Sequence, residues 1–426
     1  MSPHAVPPTP GSPHQGIDFT KFAVTRNAFL PDESPVPVLS HPYYTPWEAV
    51  GQNLAALIDE GTIRHVIDQL PVLSVDKLAS EPEWRRAYTM LAFMTHAYVW
   101  GGDEPKEILP PQISVPFLHV SAHVELPPVL TYAAANLWNF TCDGDDFSDL
   151  DKLSVCFSFT GTESESWFLL ISVAMEAKAA GILQTMTAAL EAVKARDYDG
   201  VVRGLEELRR CIDSVARLLE RMYEKCDPMT FYHRIRPFLA GSQNMAAAGL
   251  PRGVLYDEGA AAVGSTWRQL RGGSNGQSSL IQFFDVVLGV DHRGHGDGKH
   301  ASFHDEVREY MPGPHRRFLV QVARMGSIRE LAMVGAAPQR LRDAYTAATT
   351  ALTAFRQKHI SIVTRYIVIP SRQPWQGKRG THNLASSSST ANEDEQLTGT
   401  GGTALVPFLK KARDETTEAG KLQRRQ

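Results

Sequence analysis

A chain of 426 residues, 43 % hydrophobic and 21 % charged, is long enough for one large core or two smaller ones and has the composition of a folded globular protein. With 43 Lys and Arg against 47 Asp and Glu, the formal charge is −4, which argues against a broad nucleic-acid surface. Cys142, Cys156, Cys211 and Cys226 form no CxxC pair and no zinc-like spacing, so free thiols in a reducing compartment are expected.

Residues 1–20 are read as a disordered tail, because MSPHAVPPTPGSPHQG is rich in proline and has no apolar signal core. No apolar run reaches the length of a membrane span, and a cytoplasmic protein is expected. Residues 21–157 alternate apolar stretches with prolines, as in ILPPQISVP and VELPPVL, and predict a small domain of short helices joined by turns. VLTYAAANLWNF then has alanines and aromatics at helical spacing.

Residues 158–426 predict a larger helical bundle. SWFLLISVAMEAKAAG has almost no polar face, the mark of an interior helix. In DYDGVVRGLEELRRCIDSVARLLERMYEKC, residues Val202, Leu205, Leu208, Ile212, Val215, Leu219 and Met222 follow three- and four-residue steps. Asp227-Pro228 ends that pattern. Residues 371–403 hold a serine run, a charge run and GTGGT, loop chemistry read as a lid over the site. Strand–helix alternation is missing, so the fold class is all-α rather than a parallel α/β sheet.

The most informative helix is RLRDAYTAATTALTAFRQKHISIVTRYIVIP. Leu341, Tyr345, Ala348, Leu352, Phe355, His359, Ile362 and Tyr366 step by four and three, which puts His359 on the buried stripe. A buried imidazole must satisfy two ring nitrogens, and iron at one of them is one solution. Arg356, on nearly the same face, would reach a haem propionate. Periodicity by itself favours the plainer reading, a satisfied core histidine with a snorkelling arginine.

Other motifs are less specific. Gly272-Gly273-Ser274-Asn275-Gly276 opens an apolar helix that Ser278 or Ser279 would cap; it is neither GxGxxG after a strand nor a Walker loop. Asp285 inside that helix requires a cation or a donor, and Arg356 is a candidate. His315 in the Pro-Gly-Pro turn is read as a turn residue near a helix start. HRGHGDGKH, with His292, His295 and His300, has no HExxH geometry and is read as a mobile surface loop. Without GxSxG or a cysteine with a local histidine, a hydrolase is disfavoured.

Taken together and in order, GGSNGQSSLIQFFDVVLG, YMPGPHRRFL, FRQKHISIVTRYI and the late GTGGT resemble the indoleamine 2,3-dioxygenase family, from about Leu30 to the C-terminus and most strongly over 270–370. The resemblance implies an all-helical protein of two parts with haem b between them, active as Fe2+. It implies one proximal metal ligand, which falls on His359, with Gly273, Ser274, Arg356 and Asp285 expected on the cofactor side. The distal residues fall on Phe168 and Ser172, the latter a polar neighbour of the oxygen. Phe231 and Tyr232 form an aromatic pair, and Arg236 holds the substrate carboxylate. Tyr132, Ala135, Leu239, Asn275 and Thr400 complete the expected substrate pocket, and Ser172, Phe231 and Arg236 are the expected catalytic set.

The implied reaction is L-tryptophan plus dioxygen to N-formyl-L-kynurenine, in a monomer needing an electron donor but no nucleic acid or membrane. Tyr232, Asn275 and Ala135 depart from the residues more familiar at these positions. A haem-binding sensor or interaction protein of the same fold, with weak or no tryptophan turnover, is the alternative; a haem-free helical protein is a third.

Overall fold

The computed structural model describes residues 17–259, 265–292, 303–375, 397, 399–400 and 405–422. Its framework is helical: α1 (Glu81–Trp100), α2 (Pro111–His123), α3 (Glu163–Lys178), α4 (Ile182–Ala195), α5 (Tyr198–Glu220), α6 (Ser279–Leu288), α7 (Gly313–Ala323), α8 (Gln339–Val363) and α9 (Leu405–Gly420). Among the described residues, five strands of two or three residues fasten loops: β1 (Ile108–Leu109) pairs parallel with β4 (Val254–Tyr256). β4 pairs antiparallel with β5 (Thr266–Arg268), and β2 (Phe140–Cys142) with β3 (Leu153–Val155). The all-α class stands.

Each long helix follows from its sequence. α8 buries Leu341, Tyr345, Ala348, Leu352, Phe355 and Ile362, the stripe read from spacing, and packs between α5 and α9. α5 starts where Asp197 accepts from the Gly200 amide at 2.9 Å and buries Leu205, Leu208, Ile212, Val215 and Leu219. Val201, rather than Val202, opens its buried face. α4 lies close against α5: a Cβ on Gly204 would stand 2.6 Å from that of Ala189, so only glycine allows this approach. α3 begins at Thr162, whose side chain accepts from the Glu165 amide, while Glu165 accepts from the Phe159 and Thr160 amides at 2.8 and 2.7 Å. These bonds satisfy donors at the helix start and just before it.

The N-terminal helices lock onto this bundle through buried polar contacts. His96 of α1 accepts from the Leu130 amide at 3.0 Å and lies 2.7 Å from the Phe238 carbonyl. Within the N-terminal part itself, Arg86 holds Glu48 at 2.6 Å. All four cysteines are free thiols. Among the described residues no single helix is long and apolar enough to cross a membrane.

Candidate active site

A cavity of about 230 Å³ opens between α3, α8, α9 and the glycine-rich segment before α6. On α3, Phe168, Ser172 and Glu176 stand four residues apart and share the face that lines it. Three π-helical turns complete the wall: Ala133–Leu137 contributes Ala135 and Asn136, Phe231–Ile235 contributes Phe231, and Thr364–Val368 contributes Tyr366 and Ile367. A π turn carries one residue more than an α turn and re-aims the side chains that follow, a device common at functional sites. Phe168 and Phe231 meet edge-on with ring centroids 4.9 Å apart, which leaves a flat apolar wall suited to an aromatic ligand.

His359 faces this cavity. Its ring is half-buried, with its exposure on the cavity side of an otherwise enclosed position. Burial, reinforced by the charge of Arg356, holds its pKa down to about 4, so the imidazole is neutral near pH 7 and has a lone pair to offer. No hydrogen bond to His359 is formed among the described residues, in contrast with His96, where both ring nitrogens are satisfied. That contrast separates a core histidine from one that fits a metal bound in the cavity.

Arg236 is 5 % exposed and lines the same space. It follows the second π turn, and its guanidinium lies 5.5 Å from the Tyr232 ring. Its segment is pressed against the glycine-rich one so tightly that a Cβ on Gly272 would meet the Leu239 carbonyl at 2.1 Å. Gly273, Ser274 and Asn275 form the adjoining wall. Thr400 seats on them, its hydroxyl donating to the Gly273 carbonyl at 2.7 Å and its own carbonyl accepting from the Gly272 amide at 3.2 Å. Ser278 caps α6, accepting from the Ile281 amide. Tyr132, Ala135, Phe168, Ser172, Phe231, Leu239, Arg356 and His359 also line the cavity, so most of the expected residues meet in one place.

Some expectations change. Tyr232 is buried but lies outside the cavity wall, turned toward Arg236 and His233; the cavity side of the aromatic pair is taken by Phe231. Asp285 is also outside the wall. Its carboxylate accepts from Arg356 at 2.7 and 2.8 Å, so Arg356 meets the protein partner expected for it and connects Asp285 to the cavity wall. His292 is not a surface-loop residue: it stands 3.1 Å from Asp285 and 2.7 Å from Glu415 of α9, with its side chain 7 % exposed. Positions 293–302 lie outside the described residues, as do 1–16 and most of 371–403, the segment read as a lid. His315 sits buried in the first turn of α7, 3.0 Å from the Ser279 hydroxyl.

The model of the family described as indoleamine 2,3-dioxygenase matches residues 18–419. The chain belongs to the indoleamine 2,3-dioxygenase family. It is 38 % identical to the indoleamine 2,3-dioxygenase of Aspergillus nanangensis, over 95 % of this chain and 97 % of that one. Identity to the indoleamine 2,3-dioxygenase of Saccharomyces cerevisiae is 38 %, over 93 % and 92 %. A relative from Fusarium equiseti, named 6-hydroxytryptophan 2,3-dioxygenase, is 36 % identical over 92 % and 95 %. Members of this family are haem dioxygenases, and the chain is an enzyme of that type.

Sequence reading missed several cavity residues of this family member. Glu176 is 1 % exposed, and a carboxylate in an apolar helix was signal enough, the same one that singled out Asp285. Asn136 reaches the wall on a π turn, which no spacing rule registers, whereas Tyr366 stood on the stripe read with His359 but was given no place in the pocket. Leu405, Phe408 and Leu409 of α9 cover one side, too far along the chain for local periodicity to associate them with His359.

Proposed function

We propose that this enzyme binds haem b through His359 and opens the indole ring of L-tryptophan with dioxygen to give N-formyl-L-kynurenine. The observation that carries the reading is a neutral imidazole without a hydrogen-bond partner among the described residues, facing an apolar cavity that also holds a buried arginine. Haem, when bound, supplies the iron that activates dioxygen. The chain's residues do the rest: Phe168 and Phe231 hold the indole against an apolar wall, and Arg236 takes the substrate carboxylate in a bidentate contact. Tyr132, Ala135, Leu239 and Asn275 shape the pocket, with Thr400 and Ser274 packed on the glycine-rich side. Ser172 places a hydroxyl beside the reacting atoms. The aromatic enclosure excludes water, and no strong protein base is required. Atoms balance without an external oxidant: the C2–C3 bond of the indole breaks and each carbon gains one oxygen.

The same reading assigns a small part (21–157) and a large part (158–426), since the cavity wall draws on both. It assigns a cytoplasmic monomer, a role at the head of the kynurenine pathway, and an electron donor that keeps the iron ferrous. The relative named for 6-hydroxytryptophan makes ring-hydroxylated tryptophan the second substrate to assay. The test is to load the protein with haem, reduce it, add L-tryptophan in air and follow the absorbance of N-formylkynurenine. Product with tryptophan supports the reading; a fully loaded, reduced protein that makes none from either substrate favours the haem-binding sensor instead.

A further inference from the structure

Two asparagines, one in the π turn Ala133–Leu137 and one just after it, are satisfied differently. Asn139 is a structural amide, 1 % exposed. Its nitrogen donates to the Ala135 and Phe157 carbonyls at 3.3 and 3.0 Å, and its oxygen accepts from the Phe157 amide at 2.8 Å. Asn136 is nearly as buried, 5 % exposed, yet only its side-chain nitrogen is used, donating to the Leu169 carbonyl at 3.0 Å. That bond also settles which way round the amide stands, because a carbonyl needs a donor opposite it. Asn136 Oδ1 accepts no hydrogen bond among the described residues. The residue lines the cavity, so the oxygen is left to whatever occupies that space.

The surroundings of this acceptor are apolar. Ala135, Phe168 and Leu169 line the cavity with it and bring no polar side-chain atom. Glu176, another acceptor on the wall, is already engaged: its Oε1 accepts from the Tyr132 and Ser278 hydroxyls at 3.0 and 2.8 Å, and its Oε2 is fully buried. An amide oxygen covered by an apolar ligand loses its water and gains nothing, whereas a ligand that brings a donor restores the bond. A site holding such a group discriminates against analogues that lack its match.

We propose that Asn136 is a specificity-determining residue, and that the preferred substrate is a tryptophan with a hydroxyl on its benzene ring, whose O–H donates to Asn136 Oδ1. The inference rests on the proposed function, which gives the rest of the substrate its place: the carboxylate on Arg236, and the reacting edge of the indole, with its N–H, beside Ser172. The carbocyclic edge of plain tryptophan has only C–H groups to set against an amide oxygen, and a phenolic O–H is a far better donor. Ala135, with a single methyl group, leaves room on the wall for the added oxygen.

The test is calorimetric titration of the ferrous, haem-loaded protein without oxygen, so that ring electronics cannot act through the reaction rate. The ligands are tryptophan, its 5-, 6- and 7-hydroxy derivatives and the corresponding methoxy ethers. One hydroxy isomer is expected to bind about 10- to 100-fold more tightly than tryptophan, the effect of pairing one buried group. Its ether, which keeps the oxygen but has no proton to give, is expected to lose that gain. In Asn136→Leu the ratio of the two dissociation constants is expected to fall towards one. Hydroxy isomers that bind the wild type no better than tryptophan or than their ethers would overturn the proposal, whether or not the variant folds. So would an Asn136→Leu protein that loses affinity for tryptophan and hydroxytryptophan alike, which would give the oxygen to the substrate ammonium or the indole N–H. A haem-loaded wild type that binds none of these compounds would bring down the functional reading itself, and this inference with it.

Discussion

On the proposed function, Arg236 is the residue on which substrate recognition turns. Burial lowers its pKa, but a guanidinium starts so high that it stays charged on the cavity wall. Arg236→Lys keeps the charge and loses the planar fork. A charge-assisted hydrogen bond is worth ~1.5–3 kcal/mol, so KM for tryptophan is expected to rise about 10- to 150-fold with a smaller change in kcat. Steady-state kinetics of the haem-loaded variant check this, and an unchanged KM would move the carboxylate site elsewhere. Its buried place on the cavity wall was legible in the sequence because an arginine next to Pro237 in an apolar run has few inexpensive explanations. Tyr232 was not placed correctly because the π turn at Phe231–Ile235 rotates it off the cavity face that an α-helical reading would give it.

At the scale of elements, α8, which carries His359, is held by a buried charge cluster. Asp285 of α6 takes Arg356 of α8, whose other nitrogen donates to the Thr416 hydroxyl of α9, and His292 joins Asp285 to Glu415. Arg356→Ala takes the guanidinium from Asp285 and leaves His292 at 3.1 Å, so the loss is expected to stay below the ~3–5 kcal/mol of a fully uncompensated buried charge. Replacing both Arg356 and Asp285 with apolar residues is expected to cost less than Arg356→Ala alone, as read by urea unfolding.

The cluster also titrates. Burial works against a charged His292, with Arg356 adding to it, but Asp285 and Glu415 prevail and hold its pKa above the ordinary 6.5. The folded state therefore binds this proton more tightly than the unfolded chain. Its contribution is complete below the ordinary histidine pKa and is lost as pH rises through the raised value. Stability that falls as pH rises through the ordinary histidine range and above it in the wild type, with a shallower fall in His292→Gln, is the expected result; parallel curves would exclude it. Sequence spacing found α8 and its stripe, and chemistry suggested the Asp285–Arg356 pair. The part played by His292 stayed hidden because its glycine-rich surroundings read as loop, whereas its partner Glu415 lies 123 residues further along.

For the whole molecule, the cavity links folding to cofactor binding. A ligand that binds only the folded state stabilises it by about 2.7 kcal/mol at a hundredfold excess over Kd, so the melting temperature is expected to rise with haem concentration. In His359→Ala that rise is expected to shrink or vanish while the haem-free melting temperature stays near wild type, because the imidazole makes no hydrogen bond within the described protein. The all-helical architecture could be read from periodicity alone. The site could not, because its walls come from residues as far apart as Tyr132 and Leu409, and only the ordered set of motifs brought them together beforehand. The most direct test of the central claim is turnover of L-tryptophan by the reduced, haem-loaded protein under 18O2, with the product weighed by mass spectrometry. N-formylkynurenine carrying both labelled atoms is the expected result; no product, or product with a single labelled atom, would contradict it.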